Sequence, residues 1–172
     1  MTFFTTHYNS PLGGMTMASD GQGLAALWFD GTREEARFAD RLSASKALPV
    51  FDETRRWLDL YFAGEKPNFT PSLAPQGTPF QLRVWEMLLT IPYGKTVSYG
   101  DLAKRFSSTM SAQAIGGAVG RNPIDIIIPC HRVIGADGSL TGYGGGLERK
   151  RWMLEMEGKC LFFTFAENLN HV

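Results

Sequence analysis

Cys130 and His131 are adjacent, and their side chains could do covalent chemistry together. A thiol is a weak nucleophile until it ionises, and a neighbouring imidazole or a nearby helix start lowers its pKa. Pro129 precedes the pair and Arg132 follows it. The proline fixes φ and disfavours helix at Ile128, so Cys130 is expected at a defined point rather than on a loose loop. The apolar run 124–128 reads as a buried extended segment ending at a turn. Glu157 is a carboxylate that could orient His131 and complete a Cys–His–Glu relay, although spacing alone does not bring the two together. An arbitrary Cys-His dipeptide is more often a small buried thiol beside a satisfied histidine. The weight therefore rests on the surroundings.

Several elements must position these groups. Phe80, Val84, Trp85, Leu88 and Leu89 recur at helical spacing up to Ile91, and Pro92-Tyr93-Gly94 stops that helix. Ser98 is an N-cap for a short helix over 99–106. A polar turn at 107–109 leads to a small-residue helix over 111–121. A longer helix followed by two short ones with a tight turn suggests a helix-turn-helix unit. The last of these helices is rich in Ala and Gly and carries only Gln113 and, at its end, Arg121. A major-groove reader would carry several Arg, Asn or Gln. Two readings stand level: close approach to a minor groove with little sequence readout, or tight packing inside the protein. Asn122 either ends the helix or braces the loop that follows. Tyr143-Gly144-Gly145-Gly146 is bare enough to admit a ligand or an extruded base, or is a plain connector. It lacks the Lys and Ser/Thr of a phosphate-binding loop. A closing helix over 147–157 carries Arg149, Lys150 and Arg151.

The front of the chain reads as scaffold, and nothing in residues 1–76 looks catalytic. Strands are expected over 3–9, 15–19 and 24–29, antiparallel, with a hairpin at 20–23. Thr32 and Glu35 suggest a capping box for a helix running to about residue 44, with Ala36, Ala39 and Leu42 inward. A second helix over 51–62 shows Trp57, Leu58, Tyr61 and Phe62 on its apolar side and ends at Ala63-Gly64. Residues 67–79 carry four prolines and no helical period, which marks a linker. The expected domains are 1–76 and 77–160, with a tail over 161–172 in which Phe162, Phe163 and Phe165 pack against the body.

The chain has 172 residues, 44% hydrophobic and 20% charged, with zero formal net charge. That suits an ordinary soluble protein without a global basic field. Residues 1–77 carry 7 basic against 9 acidic side chains, and residues 78–159 carry 10 against 7, so the back half is mildly basic. Cys130 and Cys160 form neither a disulfide framework nor a metal-ligand pattern. No signal peptide or membrane-spanning run is visible. A reducing, cytoplasmic location is expected.

Ile128-Pro129-Cys130-His131-Arg132-Val133 resembles the signature of the O6-alkylguanine-DNA alkyltransferases. Ser10-Pro11-Leu12-Gly13, Leu60-Tyr61-Phe62-Ala63-Gly64, Gly77-Thr78-Pro79-Phe80-Gln81, Val84-Trp85, Ile91-Pro92-Tyr93-Gly94, Val97-Ser98-Tyr99, Arg121-Asn122-Pro123, Gly142-Tyr143-Gly144-Gly145-Gly146 and Glu157-Gly158 are also similar to that family. The resemblance spans nearly all of 8–159 and suits the stand-alone bacterial form. It implies an α+β protein, with a small ribonuclease-H-like α/β domain followed by a winged-helix-like (helix-turn-helix) DNA-binding domain. It implies a monomer that needs neither cofactor nor metal and does not engage membranes. The partner would be double-stranded DNA containing O6-alkylguanine, bound through the minor groove with the damaged nucleotide rotated out. O4-alkylthymine would be a second substrate.

The resemblance also assigns roles. Cys130 attacks the alkyl carbon in one displacement and keeps the group as a thioether, so each molecule acts once. His131 takes the thiol proton through water, Glu157 polarises His131, and Asn122 holds the active loop. Tyr99 supplies a proton to the leaving guanine. Tyr143, Val133 and Gly144 line the base pocket, and Tyr99, Gly100, Gln113 and Arg121 meet DNA. One departure stands out: Gln113 occupies the place of the family's usual arginine, which predicts weaker DNA affinity with the chemistry intact.

Three rival readings differ in outcome. A cysteine hydrolase would turn over. A non-catalytic lesion binder of the same fold would have replaced the cysteine, commonly by tryptophan, and Cys130 is present. A DNA-binding module with an incidental thiol would acquire no alkyl group.

Overall fold

Phe, Thr and apolar residues alternate with turn signals over the first thirty residues, and three strands result. β1 (Phe3–Ser10) pairs antiparallel with β2 (Gly13–Ser19), and β2 with β3 (Leu24–Phe29). The computed structural model describes residues 2–158; Cys160 and the tail phenylalanines lie outside the described residues. The chain divides into two units, Met1–Gln76 with Pro123–Asp125, and Gly77–Asn122 with the chain from Ile126 onward.

In the first unit the sheet order is β3-β2-β1-β4, where β4 (Leu42–Ser45) runs parallel to β1. Every residue of β3 is buried, which explains its unbroken apolar run. Its outer edge is covered at two points. Leu24 exchanges backbone hydrogen bonds with Ser72 and Ala74, and Leu27 with Pro123 and Asp125. The proline-rich stretch thus protects a sheet edge that would otherwise stay open. α1 (Arg33–Phe38) and α2 (Pro49–Phe62) follow, and Trp57, Leu58 and Tyr61 are buried. Phe62 is half-buried and stacks on Tyr8.

Two expectations fail here. The first helix ends at Phe38, passes through a short 3-10 turn, and gives way to β4. Ala36 and Ala39 are exposed. The inward side chain is Phe38, stacked on Trp28 and edge-on to Phe3. One aromatic buries far more area than two alanines, so it fixes the helix face, and Leu42 packs on the same cluster from a strand. There is also no capping box. The Thr32 hydroxyl donates to the Phe29 carbonyl, while the Glu35 carboxylate accepts from the Gly31 amide.

The second unit opens on α3 (Pro79–Leu88), where Thr78 and Gln81 do form a capping box. This helix stops three residues short of Ile91, and Leu89 is exposed. β5 (Val97–Ser98) leads to α4 (Tyr99–Phe106), capped by Ser98, and α5 (Ala112–Val119) is capped by Ser111. The Trp85 indole N–H donates to the Ala118 carbonyl at 2.9 Å, tying α3 to the last turn of α5. β6 (Val133–Ile134) pairs parallel with β5, and α6 (Leu147–Glu157) closes the unit. No helix among the described residues is long and apolar enough to cross a membrane.

Residues 124–128 are buried but not extended. Ile124 makes a single bridge to Leu27, and the chain then turns through 125–127 with Ile126 at φ +71°. A β-branched residue in that region is sterically costly. The bridge and the turn outweigh the local preference of three consecutive isoleucines for strand.

Candidate active site

Pro129 ends the turn, and Cys130–Arg132 form a 3-10 turn. The Cys130 amide bonds the Ile128 carbonyl at 2.8 Å, and the Arg132 amide bonds Pro129 at 3.0 Å. The Asn122 side-chain amide donates to the Ile128 carbonyl at 2.8 Å, fixing the approach to the cysteine. Cys130 is buried, with 7% of its surface exposed, and His131 is fully buried.

α6 brings Glu157 to this turn. One Glu157 oxygen is in close hydrogen-bond contact with His131 Nε2. The other accepts from Arg132 Nε at 2.7 Å and from the Gly94 amide at 3.3 Å. Two glycines permit the approach. Gly94 sits at φ +80°, and a Cβ on Gly158 would lie 2.7 Å from the Gly94 carbonyl oxygen. Any side chain at Gly158 would push the end of α6, and Glu157 with it, away from the turn.

Burial pushes the His131 pKa down, and the Glu157 carboxylate opposes that push, while Arg132 and Lys150 reinforce it. Burial would raise the Glu157 carboxyl, but His131 and Arg132 together hold it well below the usual carboxylate range. The resting pair is a neutral imidazole donating Nε2–H to a carboxylate. In that tautomer Nδ1 has acceptor character. The arrangement can take a proton from a thiol and hold the resulting imidazolium against a fixed negative charge.

A second cluster lies next to the cysteine. Lys150, fully buried on α6, donates to the carbonyls of Val133 (2.6 Å), Thr141 (3.1 Å) and Gly142 (3.3 Å). Burial pulls its pKa down to about 8, and Cys130 acts the other way. The Tyr99 hydroxyl donates to the same Thr141 carbonyl at 3.0 Å. Burial raises the Tyr99 pKa, as does Cys130, while the Thr141 bond lowers it; the net rise keeps the phenol protonated, hence a proton donor. Val133 is buried in β6, Tyr143 is half-buried at the base of the glycine loop, and Gly144 is exposed.

The structure therefore gathers Cys130, His131, Glu157, Asn122, Tyr99 and Val133. Gln113, Arg121 and Gly100 are not part of this cluster. Gln113 and Arg121 are exposed at the two ends of α5, and Gly100 is in the first turn of α4. On α5 the exposed residues are small, with Ala112, Ala114 and Gly117 beside Gln113, while Ile115, Ala118 and Val119 are buried. The residue missed from sequence is Lys150, read only as one of three cations on a helix. Its spacing was the available signal: Lys150, Met153, Leu154 and Glu157 lie at i, i+3, i+4 and i+7 and form the buried face of α6.

Both halves of the chain match known proteins. Residues 3–75 match the family model for the 6-O-methylguanine DNA methyltransferase ribonuclease-like domain. Residues 79–159 match that for the 6-O-methylguanine DNA methyltransferase DNA-binding domain. A methylated-DNA–protein-cysteine methyltransferase of Methanosarcina acetivorans is 44% identical over 153 residues, covering 89% of this chain and 97% of that one. The Haemophilus influenzae protein of the same name is 43% identical over 155 residues, covering 90% and 86%. A crystal structure of Mycobacterium tuberculosis OGT in complex with DNA superposes with a TM-score of 0.81 at 44% identity, covering 91% and 93%. With both of its units matched and close relatives covered almost end to end, this chain belongs to the 6-O-methylguanine DNA methyltransferase family.

Proposed function

We propose that this protein repairs DNA by moving the alkyl group of O6-alkylguanine, in double-stranded DNA, onto Cys130. The observation that carries the reading is the buried His131–Glu157 pair directly following a cysteine on a fixed turn. His131 Nδ1 takes the thiol proton, directly or through one water, and Glu157 stabilises the imidazolium. The thiolate attacks the alkyl carbon, the S–C bond forms, and the C–O6 bond breaks. The electron pair goes to guanine, which is protonated by the Tyr99 hydroxyl. The thioether is not hydrolysed, so the protein acts once.

The remaining assignments extend that reading. The chain works as two domains, with residues 77–160 carrying the chemistry. Asn122 holds the turn, and Tyr143, Val133 and Gly144 line the base pocket. The small-residue face of α5, with Gln113 and Arg121 at its ends and Gly100 nearby in the chain fold of α4, meets the minor groove. The protein acts as a monomer in the cytoplasm and accepts O4-alkylthymine as a second substrate.

Incubation with duplex DNA carrying labelled O6-methylguanine tests the proposal. One label per protein, recovered on the peptide containing Cys130, is expected. Repeated turnover of an ester or peptide without label transfer would instead support a hydrolase.

A further inference from the structure

Arg132 is buried beside the relay, yet neither of its side-chain hydrogen bonds goes to the cysteine. Its Nε–H donates to Glu157 Oε1 at 2.7 Å, and a terminal nitrogen donates to the Ile91 carbonyl at 2.8 Å. The guanidinium thus ties the carboxylate to the turn that ends α3. A guanidinium does not give up its proton in a protein. It leaves one carboxylate oxygen for His131 and opposes protonation of the other. We propose that Arg132 is a positioning residue for alkyl transfer, clamping Glu157 against His131 so that the carboxylate stays charged and the imidazole keeps the tautomer that accepts the Cys130 proton. This inference rests on the function proposed above.

Other groups also face the relay. Lys150, from α6, opposes a proton on His131. The Tyr93 ring lies 5.7 Å from the Arg132 guanidinium, and its phenol is pushed up by burial and by Glu157. The Gly94 amide also donates to Glu157. Cys130 and Tyr99 complete the set. Two cations therefore oppose an extra proton on the Cys130–His131–Glu157 group, and transfer requires that proton to be absent. Removing Arg132 raises the pH at which it binds, so the acid limb of the rate profile moves upward.

The test is single-turnover transfer from labelled O6-methylguanine duplex DNA at saturating protein, from pH 5.5 to 9, with the parent, Arg132→Met and Arg132→Lys. Arg132→Met keeps bulk and loses charge. Its acid limb is expected about one pH unit higher, so its deficit at pH 6 exceeds that at pH 8.5 by about tenfold. Arg132→Lys restores the charge without the fork, and its limb is expected back near the parent's. A Met profile parallel to the parent's overturns the proposal. So does a Lys limb displaced by about one unit, which decides the matter should the Met variant fail to fold. Nitrogen chemical shifts of His131 in the parent give an independent check. The expected form at pH 7 carries its proton on Nε2, and a doubly protonated or Nδ1–H ring overturns the clamp. A parent that takes up no label defeats the proposed function itself. A parent that transfers normally while the limb stays fixed defeats only the role of Arg132.

Discussion

The two units treat charge in opposite ways. In the first, ion pairs stay near the surface: His7 with Asp30, and Arg55 with an Asp52 side chain that is 82% exposed. The most buried of its pairs, Glu34 with Arg37, is a local i,i+3 contact on α1. In the second, His131, Arg132, Lys150 and Glu157 are all buried, and their partners come from segments far apart in sequence. Burying an ion is costly unless it is paired and hydrogen-bonded. A scaffold has no need of such an arrangement. A relay does, because a low-dielectric setting is where a fixed carboxylate steers a proton most strongly.

The largest break in that contrast should come from Cys130→Ser. Transfer of label is expected to vanish while DNA binding stays, measured by a mobility shift; surviving transfer would remove Cys130 as the acceptor. Glu157→Gln removes the charge and keeps the shape. The transfer rate is expected to drop on the order of a hundredfold, within the range for a lost proton-transfer aid. An unchanged rate would take Glu157 out of the relay. The same variant tests stability against pH. The folded-state pKa of Glu157 is depressed, so its contribution is complete above the ordinary value of about 4.3 and fades as pH falls below it. Parent and variant melting temperatures should therefore converge in acid.

Gly158→Ala meets the Gly94 carbonyl at the 2.7 Å approach. A loss of about 1–3 kcal/mol in denaturant unfolding is expected, typical of overpacking, with slower transfer as Glu157 is displaced. Full activity and stability would show that the end of α6 has slack. Gln113→Arg restores a cation on the exposed face of α5. It should tighten DNA binding and steepen the log–log salt dependence by roughly 0.9, and binding no tighter than the parent's would leave the departure at this position without consequence for affinity. At the small end, Asp52→Asn in the first unit should change stability by less than about 0.5 kcal/mol. A larger loss would mean that the scaffold depends on its surface pairs more than their exposure suggests.

The helix starts at Ser98 and near Ser111 were legible because each is set by a few neighbours, whereas the capping box at Thr78 went unread. The Pro-Cys-His-Arg block stood out by residue type, but nothing in the spacing brought the distant Glu157 to it. The early end of α1 was not legible, because one phenylalanine stacked on Trp28 and Phe3 decided a face that alanine spacing had suggested otherwise. The turn at Ile126 was hidden for a similar reason: a pairing with Leu27, nearly a hundred residues away in sequence, overrode local strand preference.

The sequence by itself determined the adjacency of thiol and imidazole, the cap at Ser98 and the three opening strands, since these depend on residue type and short spacing. Tertiary structure alone decided that Glu157 meets His131, that Arg132 shares the same carboxylate, and that Lys150 turns inward to three carbonyls. Those are contacts between segments, fixed by how α6 packs on the turns at 91–94 and 130–132. Close packing there rests on two glycines facing each other, a condition that only the folded chain reveals.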